Sequence, residues 1–123
     1  MDIDELFEYC STKPYATNGF PFDENLLTFR VGGKIFAMIA MHFWERGDKN
    51  IILKCDPQLA EELREMHPDI TWGYTMNKKH WNTVYLRGGF SRKELLEWID
   101  LSYDLVYNTL SRKELINLGK KEI

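Results

Sequence analysis

Between Ile70 and Lys93 the chain carries no Asp or Glu, yet it holds Lys78, Lys79, Arg87, Arg92 and Lys93, with His80 among them. Cations at this density suit phosphate neutralisation, the dominant and salt-dependent part of nucleic-acid affinity. Asn77 and Asn82 add groups that hydrogen-bond bases or phosphates. Trp81 and Tyr85 add rings on which an unpaired base stacks, an interaction of ~1–3 kcal/mol per base. These residue types point to a nucleic-acid site built from Asn77, Lys78, Lys79, His80, Trp81, Arg87, Arg92 and Lys93, presented as a hairpin wing around Arg87-Gly88-Gly89. A purely structural account competes with it. Alternation places Trp81, Thr83 and Tyr85 on one strand face and Asn82, Val84 and Leu86 on the other. The burial habits of tryptophan favour a core place for Trp81 over a stacking platform. His80 can serve a backbone group, and Lys78-Lys79 can be a solvated loop. Structure alone, however, rarely demands Asn, Lys and His in a row.

Other chemistries find little support. There is no Gly-x-Ser-x-Gly elbow, no Gly-x-x-x-x-Gly-Lys phosphate loop and no Gly-x-Gly-x-x-Gly fingerprint. Gly32-Gly33 and Gly88-Gly89 are turn glycines. His42, His67 and His80 do not have HExxH spacing, and Cys10 and Cys55 form no CxxC pair, so no metal site and no cofactor is expected. Both cysteines fall on apolar faces and are expected to be buried thiols. Asp2, Asp4, Glu5 and Glu8 crowd one helix, where acids near the N-terminus complement the helix dipole without any metal. The expectation is a protein without catalytic activity.

These residues sit in a chain of 123 residues with 44% hydrophobic and 28% charged residues, the proportions of one soluble globular domain spanning 1–123. Folding should leave roughly 7,000 Å² of the surface exposed, about a third of the unfolded value. No apolar run approaches the ~18 residues of a membrane span, and an acidic start lacks the basic region of a signal peptide. Two cysteines without a disulfide framework suggest a reduced, cytoplasmic protein. The formal charge of −3 argues against a dedicated DNA-coating protein. It is uneven: residues 1–61 carry 6 basic and 10 acidic side chains (−4), and residues 62–123 carry 10 and 9 (+1).

The elements that must position the site follow from periodicity and punctuation. A first helix is signalled by the Asp2/Glu5 capping box and by Ile3, Leu6, Phe7 and Cys10 on one face, with Pro14 as its stop. Lys13 to Asn25 is a loop. Leu27, Phe29 and Val31 alternate as a strand, Gly32-Gly33 turns, and Lys34 to Phe43 forms a strand apolar on both faces. Its faces are expected as Ile35, Ala37, Ile39, Met41 and Phe43 against Phe36, Met38 and Ala40. Ile51 to Cys55 is a third strand. Asp56-Pro57 opens a helix with Leu59, Ala60, Leu63 and Met66 inward. Residues 70–76 are extended, and Trp81 to Leu86 is a strand. Ser91/Glu94 opens a long helix, and Ser111/Glu114 a short one ending near Gly119. The order α-βββ-α-ββ-αα, with no internal repeat, predicts a two-layer α+β sandwich with an antiparallel or mixed sheet.

Phe20-Pro21-Phe22, then Phe29-Arg30-Val31-Gly32-Gly33-Lys34-Ile35-Phe36-Ala37, resembles the MmcQ/YjbR family. The more specific match is Met76-Asn77-Lys78-Lys79-His80-Trp81-Asn82-Thr83-Val84-Tyr85-Leu86, followed by Ser102-Tyr103-Asp104-Leu105-Val106. Asp56-Pro57-Gln58-Leu59-Ala60 is also family-like, and the resemblance runs over roughly Ile3 to Leu110. It implies a fold similar to the secretion-chaperone-like α+β sandwich. It also implies bacterial DNA binding through a double-wing arrangement of hairpins. Four positions depart from the family's pattern: Tyr15 in place of Gly, Thr75 in place of His, Arg87 in place of an acid, and Ser91 in place of a Pro-Asp start.

Two functions are therefore expected. The first is DNA binding through the Asn-Lys-x-His-Trp segment. The alternative is a protein- or peptide-interaction domain that uses the Phe36, Met38 and Ala40 face with Trp44, Trp72 and Tyr74. Expected partners are DNA or another protein, with no membrane, the chain itself being a monomer or weak dimer. A pocket enclosing His80 beside a shifted acid or Cys55 would instead signal an enzyme.

Overall fold

The computed structural model describes residues 1–73 and 77–119. Tyr74, Thr75 and Met76, part of the expected extended stretch, lie outside the described residues. In chain order the elements are helix α1 (Ile3–Ser11), strands β1 (Thr17–Gly19), β2 (Leu26–Val31) and β3 (Lys34–Ala40), helix α2 (Met41–Glu45), strand β4 (Asn50–Lys54), helix α3 (Pro57–Met66), strands β5 (Ile70–Trp72) and β6 (Trp81–Tyr85), and helices α4 (Arg92–Tyr107) and α5 (Arg112–Asn117). The strands form one antiparallel sheet in the order β1-β2-β3-β4-β6-β5. The architecture is the expected α+β one, with an open sheet and helices over one face.

That face carries the main core. Leu6 and Cys10 of α1, Ala60 and Leu63 of α3, and Leu95, Ile99 and Val106 of α4 pack on Phe29, Val31, Ala37, Ile39, Ile51, Leu53 and Val84. The capping boxes at Asp2/Glu5, Ser91/Glu94 and Ser111/Glu114 all form, and Asp56 caps α3 ahead of Pro57. The other face of the sheet carries a smaller cluster of Met38, Ile52 and Trp81, flanked by Leu26 and Ile35.

Three local differences from the sequence expectation have physical causes. Thr17–Gly19, expected as loop, pairs with β2 as a short edge strand through Thr17↔Arg30 and Gly19↔Thr28. Its polar side chains give no alternation to recognise. The strand expected to run to Phe43 ends at Ala40, because its partner β2 ends there, at Leu26↔Ala40. Asn25 then turns the chain into α2: its carbonyl accepts from the Met41 N–H at 2.8 Å and its Oδ1 from the His42 N–H at 2.7 Å.

The third difference is a β-bulge. The register passes from Phe29↔Ala37 to Arg30↔Ile35, leaving Phe36 unmatched. Phe36 thereby joins Ala37 and Ile39 in the main core, fully buried, while Ile35, expected beside Ala37, packs with Met38 on the opposite face. The sheet face expected to meet a partner through Phe36 and Met38 is thus covered within the chain, at 0% and 1% exposure. Tyr15 adopts φ 61°, a left-handed conformation that glycine takes more readily than tyrosine.

Candidate nucleic-acid interface

The hairpin at the edge of the sheet is β5–β6, and its backbone is shaped by the residues singled out from sequence. The Gly73 N–H donates to the Trp81 carbonyl at 2.8 Å. Asn77 Oδ1 accepts from the Lys79 N–H at 2.8 Å, an Asx turn, and the Asn77 carbonyl accepts from the N–H groups of His80 and Trp81 at 3.2 and 3.1 Å. The His80 carbonyl accepts from the Cys55 N–H at 2.7 Å, extending the pairing of β4 with β6. Asn77 and His80 thus hold a tight turn whose outward side chains are Lys78 and Lys79, both exposed.

Beneath this turn lies a ring. Trp72 is 54% exposed, and the Lys78 ammonium sits 4.7 Å from its ring centroid, within cation–π range. Arg64 of α3 lines an open groove with Ile70, Thr71 and Trp72. Its guanidinium donates from Nη1 to Asn82 Oδ1 at 2.8 Å, while Asn82 Nδ2 donates to the Ala60 carbonyl at 3.2 Å. Among the described residues, Lys78 and Lys79 form no ion pair with an acid.

The remaining cations lie elsewhere. Arg87 follows the C-terminal end of β6, so the whole length of that five-residue strand separates it from Lys79. The turn Arg87-Gly88-Gly89 leads into α4 rather than into a partner strand, so no hairpin wing forms there. Arg87 Nη2 is 2.9 Å from Asp48 Oδ1, and its guanidinium stacks 4.2 Å from the Tyr85 ring. Arg92 pairs with Glu5. The stretch without acids in sequence therefore meets acids in space, brought by the α2–β4 turn and by α1. Lys93 is exposed at the start of α4.

Two residues offered as direct contacts are interior. Trp81 is 6% exposed and closes the small cluster over Met38 and Ile52, so its ring is no free platform. Asn82 is 2% exposed, and both ends of its amide are used internally. Arg64 and its hold on Asn82 escaped notice in the sequence. Only the helical spacing of Ala60 and Arg64, which sets them on adjacent turns, hinted at it.

The thiols are not activated. Burial pushes Cys10 up to about 12 and Cys55 up to about 11, the opposite of a nucleophilic cysteine. Cys55 lines a small apolar recess with Leu59, Leu63, Trp98 and Leu101 between α3 and α4. Among the described residues no group of three or more His, Cys, Asp or Glu is placed to hold a metal ion, and no helix is long and apolar enough to cross a membrane.

The family model described as YjbR matches residues 11–105. The chain is also 35% identical over 121 residues to "Uncharacterized protein YjbR" of Escherichia coli K12, covering 96% of this chain and all of that one. The chain belongs to the YjbR family. A further Escherichia coli O157:H7 relative, "Uncharacterized protein YbdF", is 37% identical over 82% of this chain and 80% of its own length. Among solved structures, Deinococcus radiodurans protein DR2400, of the DUF419 type, superposes with TM-score 0.84 at 36% identity, covering 95% of this chain and 87% of that one. A Pseudomonas syringae protein gives TM-score 0.72 at 27% identity, over 86% of this chain and 99% of that one. YjbR-family membership thus accounts for the fold and leaves the ligand to be argued from the surface.

Proposed function

We propose that this YjbR-family protein is a DNA-binding module without catalytic activity, and that it contacts DNA through the outer end of the β5–β6 hairpin. One observation carries the proposal. Lys78 and Lys79 project from an Asx turn, with Lys78 against an exposed indole and no described acid paired to either. Arg87 and Arg92, by contrast, are already neutralised by Asp48 and Glu5. In a chain of net charge −3, affinity for phosphate depends on where cations are left uncompensated. Burial, which raises both thiols, favours binding over thiol chemistry.

The test is fluorescence anisotropy with labelled DNA at about 50 and 200 mM salt. Lys78→Glu with Lys79→Glu should weaken binding at least tenfold and flatten the salt dependence by about one unit of slope per lost contact. Arg87→Glu with Arg92→Glu should leave most of the affinity. Equal losses in the two double variants would misplace the surface. An absence of binding by the parent at low salt would end the proposal.

A further inference from the structure

Resting on that DNA-binding function, we infer that the groove beside the hairpin takes an unpaired strand, with Trp72 stacking a base and Arg64 meeting a phosphate. Trp72 projects from the three-residue edge strand β5 and keeps more than half of its surface exposed. A ring placed so offers stacking surface, beside the cation of Lys78, to a base that is not already stacked. In a duplex the bases are stacked on one another, so only phosphates would be available to this surface. Among the described residues, the cations brought to this surface by the hairpin turn and α3 are Arg64, Lys78 and Lys79, too few for phosphate contacts alone to give tight binding in a negatively charged protein.

Arg64 differs from the two lysines in being held. Its guanidinium donates to an amide that is itself 2% exposed and anchored on the Ala60 carbonyl. A buried asparagine spent on fixing one arginine preorganises a fork of N–H donors at the groove, the geometry that suits phosphate oxygens. Asn82 is thus a positioning residue acting through Arg64. The groove, about 320 Å³ and open to solvent, suits a strand laid across the surface rather than an enclosed small molecule.

The decisive probe is a short oligo-dT, compared with the duplex of the same length and with an oligonucleotide of the same length made abasic. The parent protein should bind oligo-dT more tightly than duplex, with a salt slope near −2 for three phosphate contacts on a single strand. It should lose roughly 5- to 100-fold on the abasic strand. Trp72→Ala should bind oligo-dT and the abasic strand alike, and Trp72→Phe should recover part of the difference. Asn82→Ala, checked for an intact thermal transition, should weaken oligo-dT binding to the level of Arg64→Gln. If Asn82→Ala does not fold, Arg64→Gln alone carries that arm. Oligo-U in place of oligo-dT should bind comparably, since neither stacking nor phosphate contact reads the sugar. If the parent binds duplex as tightly as oligo-dT, or the abasic strand as tightly as the base-bearing one, the inference fails. In that case a loss of duplex binding in the Lys78→Glu, Lys79→Glu variant would still uphold the DNA-binding function. Binding to no nucleic acid at low salt would overturn both.

Discussion

The Ser102 hydroxyl, on the buried side of α4, donates to the Phe36 carbonyl at 2.6 Å and accepts from the Lys54 N–H at 2.9 Å. The β3–β4 ladder is registered at Ala37↔Leu53 and Met38↔Ile52 and does not reach Phe36, the residue left unmatched in the β2–β3 pairing. One side chain therefore supplies the partners that two strands lack where their pairing lapses. Ser102→Ala should strand a buried carbonyl and a buried N–H, and cost ~2–4 kcal/mol. Urea unfolding should show this as a lower midpoint at unchanged slope, with oligonucleotide affinity retained below the transition. A loss under 0.5 kcal/mol would mean that water or a shift of the strands replaces the hydroxyl. At this scale the sequence is least informative. Ser102 reads as one more position on a helix face, and Asn82 as a candidate base reader, because their partners lie far along the chain: Phe36 66 residues away for Ser102, and Ala60 22 away for Asn82.

Elements whose ends are written locally were legible. Each capping box pairs residues three apart, and Asp56-Pro57 announces α3 by itself. What escaped depends on a neighbouring strand: the edge strand β1, the bulge, and the end of β3 where β2 runs out. The candidate site was half legible for the same reason. Lys78 and Lys79 stand together because they are consecutive, but the acids beside Arg87 and Arg92 arrive from Asp48 and Glu5, distant in sequence. The β5–β6 hairpin offers a test of how an element carries the site. A Cβ added at Gly73 would stand 2.6 Å from the Trp81 Cβ, with the Trp81 backbone also within 3.3 Å. Gly73→Ala must therefore push β5 away from β6 at the Gly73 N–H to Trp81 carbonyl bond. The expected cost is ~1–3 kcal/mol, read by thermal unfolding, together with weaker oligonucleotide binding, because Trp72 and Lys78 sit at that end. A variant as stable as the parent would show that the hairpin end opens freely.

Over the whole molecule, the charge pattern and the buried ionisable groups set how the fold responds to pH. Burial is the largest cause of the raised values of Cys10, to about 12, Cys55, to about 11, and Tyr103, to about 12, from ordinary values of 9.0, 9.0 and 10.0. Tyr9 is raised as well, by burial and by its hydrogen bond to Asp100. Each of these groups keeps its proton in the folded state at a pH where the unfolded chain has released it. The folded state then binds more protons, so stability falls as pH rises, beginning near pH 9 where unfolded thiols ionise and continuing through the folded values. On the acid side the sign reverses. Hydrogen bonds from the Ser91 and Ser111 backbones hold Glu94 and Glu114 below the ordinary 4.5, so their support is lost as pH falls through the carboxylate range. The protein should therefore have a broad stability plateau across neutral pH, bounded more sharply on the alkaline side, where several buried groups act together. Urea midpoints at pH 5, 7.5 and 10.5 test this: the first two should be close and the third clearly lower. Native protein at pH 8 should leave both thiols unreactive toward a disulfide reagent, and both should react once urea unfolds the chain. A midpoint unchanged at pH 10.5, or a thiol that reacts in the native state, would show that Cys10 or Cys55 reaches solvent through an opening of the helix layer, and that the core is looser over α1 and α3 than its packing indicates.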